Sequence, residues 1–376
     1  MLQQPSLWII LLAFICVIGP LIFIHELGHY LVAKLFGVGA EEFSIGFGRE
    51  IVGWTDRSGT RWKVGWLPLG GFVRFVGDMN PASAPANLEN IPEELRSRSM
   101  HLKPVWQRFL IVLAGPAANF LLAILIFAAF FATFGMPLTP NVVASTLRGG
   151  AAEAAGIQPG DRITSIAGRS TSTFEEIYRV VVFRPGEQVK LQVERDGKQL
   201  TLPARIAVDE QKDRFGQRFR IGLLGINSGP YKFARVPPGQ LIPRSVALTV
   251  SLTRSAIDGL WQIISGRRSI KELGGPLKIA QIAGQQATLG PYEFIQLLAV
   301  ISINLGFINL LPVPVLDGGH LFFYAIEAVR RRPVSLQAQD WAFRGGLALV
   351  FVFLLTVTFN DLGSFGLWDR LGRLIG

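Results

Sequence analysis

Two kinds of segment alternate along the chain: long, almost uninterrupted apolar runs, and shorter stretches where apolar and polar residues alternate or give way to glycine. The first run, Leu7 to Ile24, holds about 18 uncharged and mostly apolar residues, just enough to cross a bilayer core at ~1.5 Å per helical residue. It continues through His25-Glu26-Leu27-Gly28-His29-Tyr30-Leu31-Val32-Ala33 before reaching Lys34. No basic stretch precedes it and no small-residue cleavage site follows its apolar core, so it reads as a retained span rather than a secretion signal. Phe109 to Phe134 is the second run, with Gly115-Pro116-Ala117-Ala118-Asn119 near its start. Small residues there permit close helix approach, and Pro116 permits a kink. The third run extends from about Phe294 to Leu311 and the fourth from about Leu347 to Phe359. The pattern predicts a membrane α-helical protein with four transmembrane helices.

Basic residues set the expected direction of those helices. Arg49, Arg57, Arg61, Lys63, Arg74, Arg96, Arg98 and Lys103 lie between spans one and two, and Arg330, Arg331 and Arg332 between spans three and four. Both loops are therefore expected on the cytoplasmic side, with the long segment between spans two and three outside. Leu241 to Ile264 contains Arg244, Arg254 and Asp258 at spacings that suit an amphipathic helix on a surface. A crossing there would reverse span three and separate Asp317 from His25 and His29.

The outer segment, Asn141 to about Val208, reads as a small α+β domain. It opens on strand-like Val142-Val143-Ala144 and turn-rich Gly156-Ile157-Gln158-Pro159-Gly160-Asp161, then offers a short helix over Phe174 to Val181. Alternation from Val189 to Arg195 and the Asp196-Gly197 turn read as a hairpin. The order resembles a PDZ domain of the bacterial, periplasmic type. Gly222-Leu223-Leu224-Gly225-Ile226 is either the carboxylate-binding loop of such a unit or a plain strand turn. Between Phe43 and Val76, aromatic and β-branched runs are broken by glycine: Gly46-Phe47-Gly48, Trp62-Lys63-Val64-Gly65-Trp66, then Gly70-Gly71-Phe72-Val73. These are hairpin signals. The strands either dip into the membrane interface or line a cavity, or they form a cytoplasmic hairpin with interfacial tryptophans.

Composition narrows the class. Of 376 residues 49% are hydrophobic and only 17% charged, against about 25% charged in an ordinary soluble domain, which excludes a simple soluble enzyme and a disordered chain. The net charge of +10 is scattered and flanks apolar runs, so it marks topology and not a nucleic-acid partner. The single cysteine, Cys16, leaves no disulfide framework and no thiolate metal site.

The chemistry-bearing pattern is His25-Glu26-Leu27-Gly28-His29, an H-E-x-x-H motif. Positions i and i+4 of a helix share a face, so both imidazoles can reach one Zn²⁺, with the adjacent glutamate as general base. Three ionisable groups in one membrane helix imply partners or a water-filled site. A third ligand is expected at similar depth, and the end of span three offers Asn309-Leu310-Leu311-Pro312-Val313-Pro314-Val315-Leu316-Asp317-Gly318-Gly319-His320. Its prolines break the helix and its glycines permit close approach. Asp317 is either that ligand or a helix N-cap; beside the histidine pair, ligation is favoured. His320 reads as a neighbour of the ligands or a helix-face residue, and His101 as an ordinary loop histidine.

Taken together, His25-Glu26-Leu27-Gly28-His29, Gly46-Phe47-Gly48, Leu67-Pro68-Leu69-Gly70-Gly71, Gly115-Pro116-Ala117-Ala118-Asn119-Phe120 and Asn304 through Gly319 resemble the site-2 family of intramembrane zinc metalloproteases, most closely the bacterial regulator-of-sigma-E protease group. The resemblance implies zinc ligands His25, His29 and Asp317, with Glu26 as acid/base. It implies substrate contacts at Asn304 and Asn309, and a membrane-reentrant β-sheet over Gly46 to Val76 presenting substrate at Gly46, Phe47, Gly48, Gly70 and Gly71. It implies hydrolysis within the transmembrane segment of single-span proteins, anti-sigma factors or signal-peptide remnants, already shortened by a first protease, in a bacterial inner membrane. One departure is that this chain has room for one PDZ-like domain where the best-known member has two.

The expected organisation is span one over 1–35, the β region over 36–105, span two over 106–134, the periplasmic PDZ-like domain over 135–230 and an amphipathic connector over 231–291. Span three with its Leu316-Asp317-Gly318 motif follows over 292–320, then a cytoplasmic loop over 321–342, span four over 343–361 and a tail over 362–376. A noncatalytic zinc-bearing adaptor that binds peptide termini is the competing class; it would not need Glu26 beside the metal. A zinc transporter would want more intramembrane polar groups along a path.

Overall fold

The computed structural model describes residues 5–77, 93–182, 184–212, 218–230, 232–265 and 274–364, which leaves most of the expected tail outside the described residues. The chain divides into two units, residues 1–128 with 242–376, and residues 129–241.

In the first unit, α1 (Leu7–Leu35) runs through Pro20 and carries the H-E-x-x-H sequence in its second half. It is followed by β1 (Ala40–Thr55) and β2 (Arg61–Phe75), a short α2 (Glu93–Arg96), and α3 (Val105–Thr133) with Pro116 inside it. Close approach of α1 to α3 is built on glycine: a Cβ at Gly28 would lie 2.8 Å from the Ala118 Cβ and collide with the Ala114 carbonyl.

β1 and β2 form more than a simple hairpin. Residues 42–45 are paired with 71–74 and also with 61–64, while 50–55 pair with 61–65, so each strand contributes two paired halves. The doubling back occurs at Gly46, Gly48 and Gly70, whose φ values of 84°, 85° and 110° are open to glycine at little cost. Behind this sheet, Tyr30, Ala33, Phe43, Val73, Phe75, Met100, Ile111 and Leu321 form a buried cluster.

The second unit contains β3 (Met136–Leu138), β4 (Val143–Thr146), α4 (Ala151–Ala154), β5 (Arg162–Ile166), β6 (Arg169–Ser170) and α5 (Phe174–Val182). It continues with β7 (Gln188–Arg195), β8 (Lys198–Arg205), β9 (Ala207–Lys212), β10 (Arg218–Leu223), β11 (Ile226–Ser228) and β12 (Lys232–Ala234). Its four-stranded sheet has the order β6-β5-β7-β8. Ile177, Val180 and Val181, one face of α5, bury against Ile163, Ile166, Leu191 and Val193. The Asp196-Gly197 turn closes β7 on β8 with φ values of 49° and 75°, both on the left-handed side as a tight two-residue hairpin requires. The stretch Gly222 to Ile226 is two strand ends joined at Gly225: β10 pairs with β9, and β11 with β4. Because β12 pairs with β3, the strand-built unit reaches residue 234, beyond the expected end at 230.

The chain then returns to the first unit through α6 (Leu241–Ile264), α7 (Pro276–Leu289), α8 (Pro291–Asn309), α9 (Asp317–Arg330) and α10 (Leu336–Ser364). Four helices among the described residues are long and apolar enough to cross a membrane: those at Leu7–Leu35, Val105–Thr133, Pro291–Asn309 and, within α10, Gln337–Leu362. α6 falls outside that set. Its Ile242, Val246, Val250, Ile257, Trp261 and Ile264 are exposed.

Candidate metal centre

His25 and His29 stand one turn apart on α1, so both rings leave the same face. The rings meet edge to face with centroids 4.9 Å apart, and their Nε2 atoms are 3.3 Å apart. Asp317 arrives from a sequence position almost three hundred residues later. α8 stops at Asn309, and residues 310–316 fold through successive tight turns, with Val313 N donating to the Leu311 carbonyl and Leu316 N to the Val313 carbonyl. α9 then starts at Asp317, with Leu316 as its extended N-cap. Asp317 is therefore in the first helical turn and not at the cap, and it opens a new helix rather than ending span three. Any Cβ on Gly318 would collide with the Leu311 carbonyl, and one on Gly319 would lie 2.6 Å from the Pro314 Cα, so these two glycines let the turn fold back tightly enough to aim the carboxylate.

Asp317 Oδ2 lies 3.0 Å from His25 Nε2 and 3.5 Å from His29 Nε2. Four ligands held tetrahedrally at the usual ~2.0–2.1 Å from zinc are about 3.3 Å from one another. The three separations here, 3.0, 3.3 and 3.5 Å, bracket that value. Asp317 Oδ2 is buried and accepts no hydrogen bond of ordinary geometry among the described residues, which is a costly state for a carboxylate oxygen unless a cation completes it. Two imidazoles and one carboxylate are also the donor set that leaves a fourth position open. The residues fit zinc.

The surroundings orient the ligands. His29 Nδ1 is 2.9 Å from the Ile111 carbonyl oxygen, to which its N–H donates, so the Nε2 lone pair faces Asp317. Gly115 gives the His29 ring its space: a Cβ there would lie 2.8 Å from the ring Cδ2 and closer still to Cε1 and Nε2. His25 Nδ1 lies 3.0 Å from the Asn119 side chain. On the opposite side, α9 is tied to the start of α3 by Arg108, whose Nη2 donates to Glu327 Oε1 at 2.7 Å while its guanidinium lies 5.0 Å from the Tyr324 ring centre.

The centre opens into a cavity of about 350 Å³ lined by His25, Glu26, His29, Asp317, Asn309 and His320, with Phe47, Gly70, Gly71, Phe72 and Val73 from the sheet. Gly71 sits directly above the glutamate, since a Cβ there would lie 3.1 Å from Glu26 Cγ. Expected substrate residues thus divide. Asn309 lines the cavity with Nδ2 3.3 Å from His25 Nε2, and Phe47, Gly70 and Gly71 also line it. Asn304 is exposed and outside the cavity, and Gly46 and Gly48 act at the bends of β1. Sequence reasoning gave Gly115 only a part in close helix approach and named no role for Asn119; the signal for their place beside the ligands was their four-residue spacing, which matches that of the two histidines.

Residues 13–353 match the profile of Peptidase family M50. The chain is 37% identical over 391 residues to metalloprotease MmpA of Caulobacter vibrioides, covering 97% of this chain and 98% of the relative. It is 42% identical over 357 residues to a relative from Agrobacterium fabrum that is named, provisionally, a zinc metalloprotease, covering 93% of this chain and 95% of the relative. Solved PDZ domains from Listeria monocytogenes and Listeria innocua align with 24% and 25% of the chain at 20% and 21% identity, with TM-scores of 0.19, too low to decide the fold of that stretch.

Proposed function

From the fact that this chain belongs to peptidase family M50, and is therefore a zinc metalloprotease, we propose that it cleaves a peptide bond within the membrane-spanning segment of single-span membrane proteins. The observation that carries the proposal is one cavity holding the two imidazoles, the Asp317 carboxylate and Glu26, walled on one side by strand backbone from 70 to 73. His25, His29 and Asp317 would hold the zinc, which when bound would supply Lewis acidity toward a water molecule and a carbonyl oxygen. Glu26 accepts the proton of the attacking water at its carboxylate and delivers it to the amide nitrogen of the departing segment. A helical substrate presents its carbonyls already hydrogen-bonded, so it must unwind before attack. The backbone of 70–73 beside Glu26 can hold the extended form by strand addition, and Asn309 can hydrogen-bond the freed backbone.

The reading extends to placement. Basic residues between the first two spans and at Arg330 to Arg332 support a bacterial inner-membrane protein with its metal centre toward the cytoplasmic side and residues 135–230 in the periplasm as a PDZ-like unit. That unit would admit substrates of the anti-sigma-factor type, or signal-peptide remnants, after a first protease has shortened them. The noncatalytic adaptor class is disfavoured by Glu26, which lines the cavity beside both histidines.

The test is cleavage by purified protein in lipid vesicles of a single-span substrate truncated outside the membrane. Cleavage inside the span, stopped by a zinc chelator and restored by Zn²⁺, is expected. Chelator-insensitive cleavage, or none with any truncated span, would remove the proposal.

A further inference from the structure

We infer that Asn119 is a positioning residue of the metal centre: its side-chain Oδ1 accepts the Nδ1–H of His25 and thereby holds that imidazole with the Nε2 lone pair directed at His29 and Asp317. The inference rests on the metalloprotease reading only for the identity of the metal.

Three observations converge on it. Asn119 is fully buried, and its amide lies 3.0 Å from His25 Nδ1. Its backbone is pinned from the other side, because Ser302 Oγ donates to the Asn119 carbonyl at 2.8 Å, so the side chain cannot drift away along α3. Third, the amide faces His25 through Nδ2, and Oδ1 is a buried acceptor with no donor among the described residues. One end of the amide meets the imidazole in either orientation, so the tautomer of His25 decides which. With Nδ2 donating, Nδ1 holds the lone pair and Nε2 the hydrogen, which blocks ligation. With Oδ1 accepting, the hydrogen sits on Nδ1 and Nε2 is free to bind metal, and this is the tautomer that metal-bound histidines adopt against an acceptor partner. A half-turn of the amide plane exchanges the two states without moving the helix.

The same helix thus serves both histidines. The Ile111 carbonyl accepts from His29 Nδ1, Gly115 leaves room for the His29 ring, and Asn119 fixes His25. Positions 115 and 119 repeat the i, i+4 interval of 25 and 29, which gives the Gly115-Pro116-Ala117-Ala118-Asn119 segment a chemical reason.

The experiment measures zinc affinity of the full chain in detergent micelles by competition with a chelating dye, using Zn²⁺ alone. Asn119→Leu, similar in size but without an acceptor, should bind zinc about 10- to 100-fold more weakly than the parent. Asn119→Asp, which keeps the acceptor and loses the donor, should bind as tightly as the parent or tighter. ¹⁵N imidazole shifts of the zinc-loaded parent should show the hydrogen of His25 on Nδ1. Unchanged affinity in Asn119→Leu, or a loss in Asn119→Asp as large as in Asn119→Leu, would overturn the inference. Should the leucine variant fail to fold, the aspartate variant decides alone, because a donor role for the amide requires it to lose zinc. Substrate cleavage is scored separately: a parent that binds zinc but cleaves nothing sinks the proposed function and leaves this inference standing.

Discussion

Gly115→Ala is a one-methyl perturbation aimed at a single imidazole. The added Cβ would lie 2.8 Å from His29 Cδ2, where ordinary contact begins at 3.4 Å, so the ring must retreat by about 0.6 Å at that atom and further at Nε2. Metal–ligand distances tolerate about 0.2 Å. The ring has little freedom to comply, since His29 is buried and anchored through Nδ1 to the Ile111 carbonyl. Stability should fall by only about 0–2 kcal/mol, because the roughly 1 kcal/mol that alanine gains over glycine in a helix offsets part of an overpacking cost of about 1–3 kcal/mol. Zinc affinity should fall by at least about tenfold, read by dye competition, with the helical circular dichroism retained and the melting temperature lowered by no more than several degrees. A folded Gly115→Ala protein with parental zinc affinity would refute the placement of His29 as a ligand against α3.

Three further outcomes follow from other contacts. Asp317→Ala should lose both zinc and cleavage, measured by metal analysis of the purified protein; stoichiometric zinc in that variant would mean a different third ligand. Arg108→Ala leaves Glu327 facing α3 unpaired and half-enclosed, and should cost about 2–4 kcal/mol, read as a lowered melting temperature, with recovery in the exchanged pair Arg108→Glu, Glu327→Arg. In the second unit, paired hydrogen bonds from Arg195 at 2.7 Å, together with the Gln158 N–H, hold the buried Asp161 carboxyl below the usual carboxylate range. Its folded form favours the anion, so this contribution is complete above the ordinary carboxylate range and is lost as pH falls below it. The melting temperature of the second unit should therefore drop below about pH 4, and Asp161→Asn should flatten that dependence; an unchanged acid limb would contradict it.

What the residues alone disclosed was local. The i, i+4 histidines and Glu26 follow from helical period, the four apolar runs from length, and the β7–β8 turn from Asp196-Gly197. What stayed hidden depends on contacts distant in sequence. The doubled pairing of β1 and β2 requires glycine bends at 46, 48 and 70 to bring three stretches side by side, and a simple hairpin pattern is compatible with the same alternation. The pairing of β12 with β3 joins residues nearly a hundred apart and leaves no local mark. Asp317 was legible as a ligand candidate, but its place in the first turn of α9 depends on the compact turns of 310–316. Asn304 and Asn309 read alike in sequence, and the helix geometry separates them, one facing outward and the other into the cavity. The partnership of α3 with the histidines could be suspected only from matched four-residue intervals.

The central claim is that Glu26 moves the proton at a zinc centre built by His25, His29 and Asp317. Its most direct test is Glu26→Gln, an isosteric change that removes the proton acceptor and leaves all three ligands, assayed for bound zinc and for cleavage of a single-span substrate in vesicles. The account predicts one zinc per chain, a parental melting curve and no detectable cleavage. Cleavage at the parental rate by the zinc-loaded variant would contradict it.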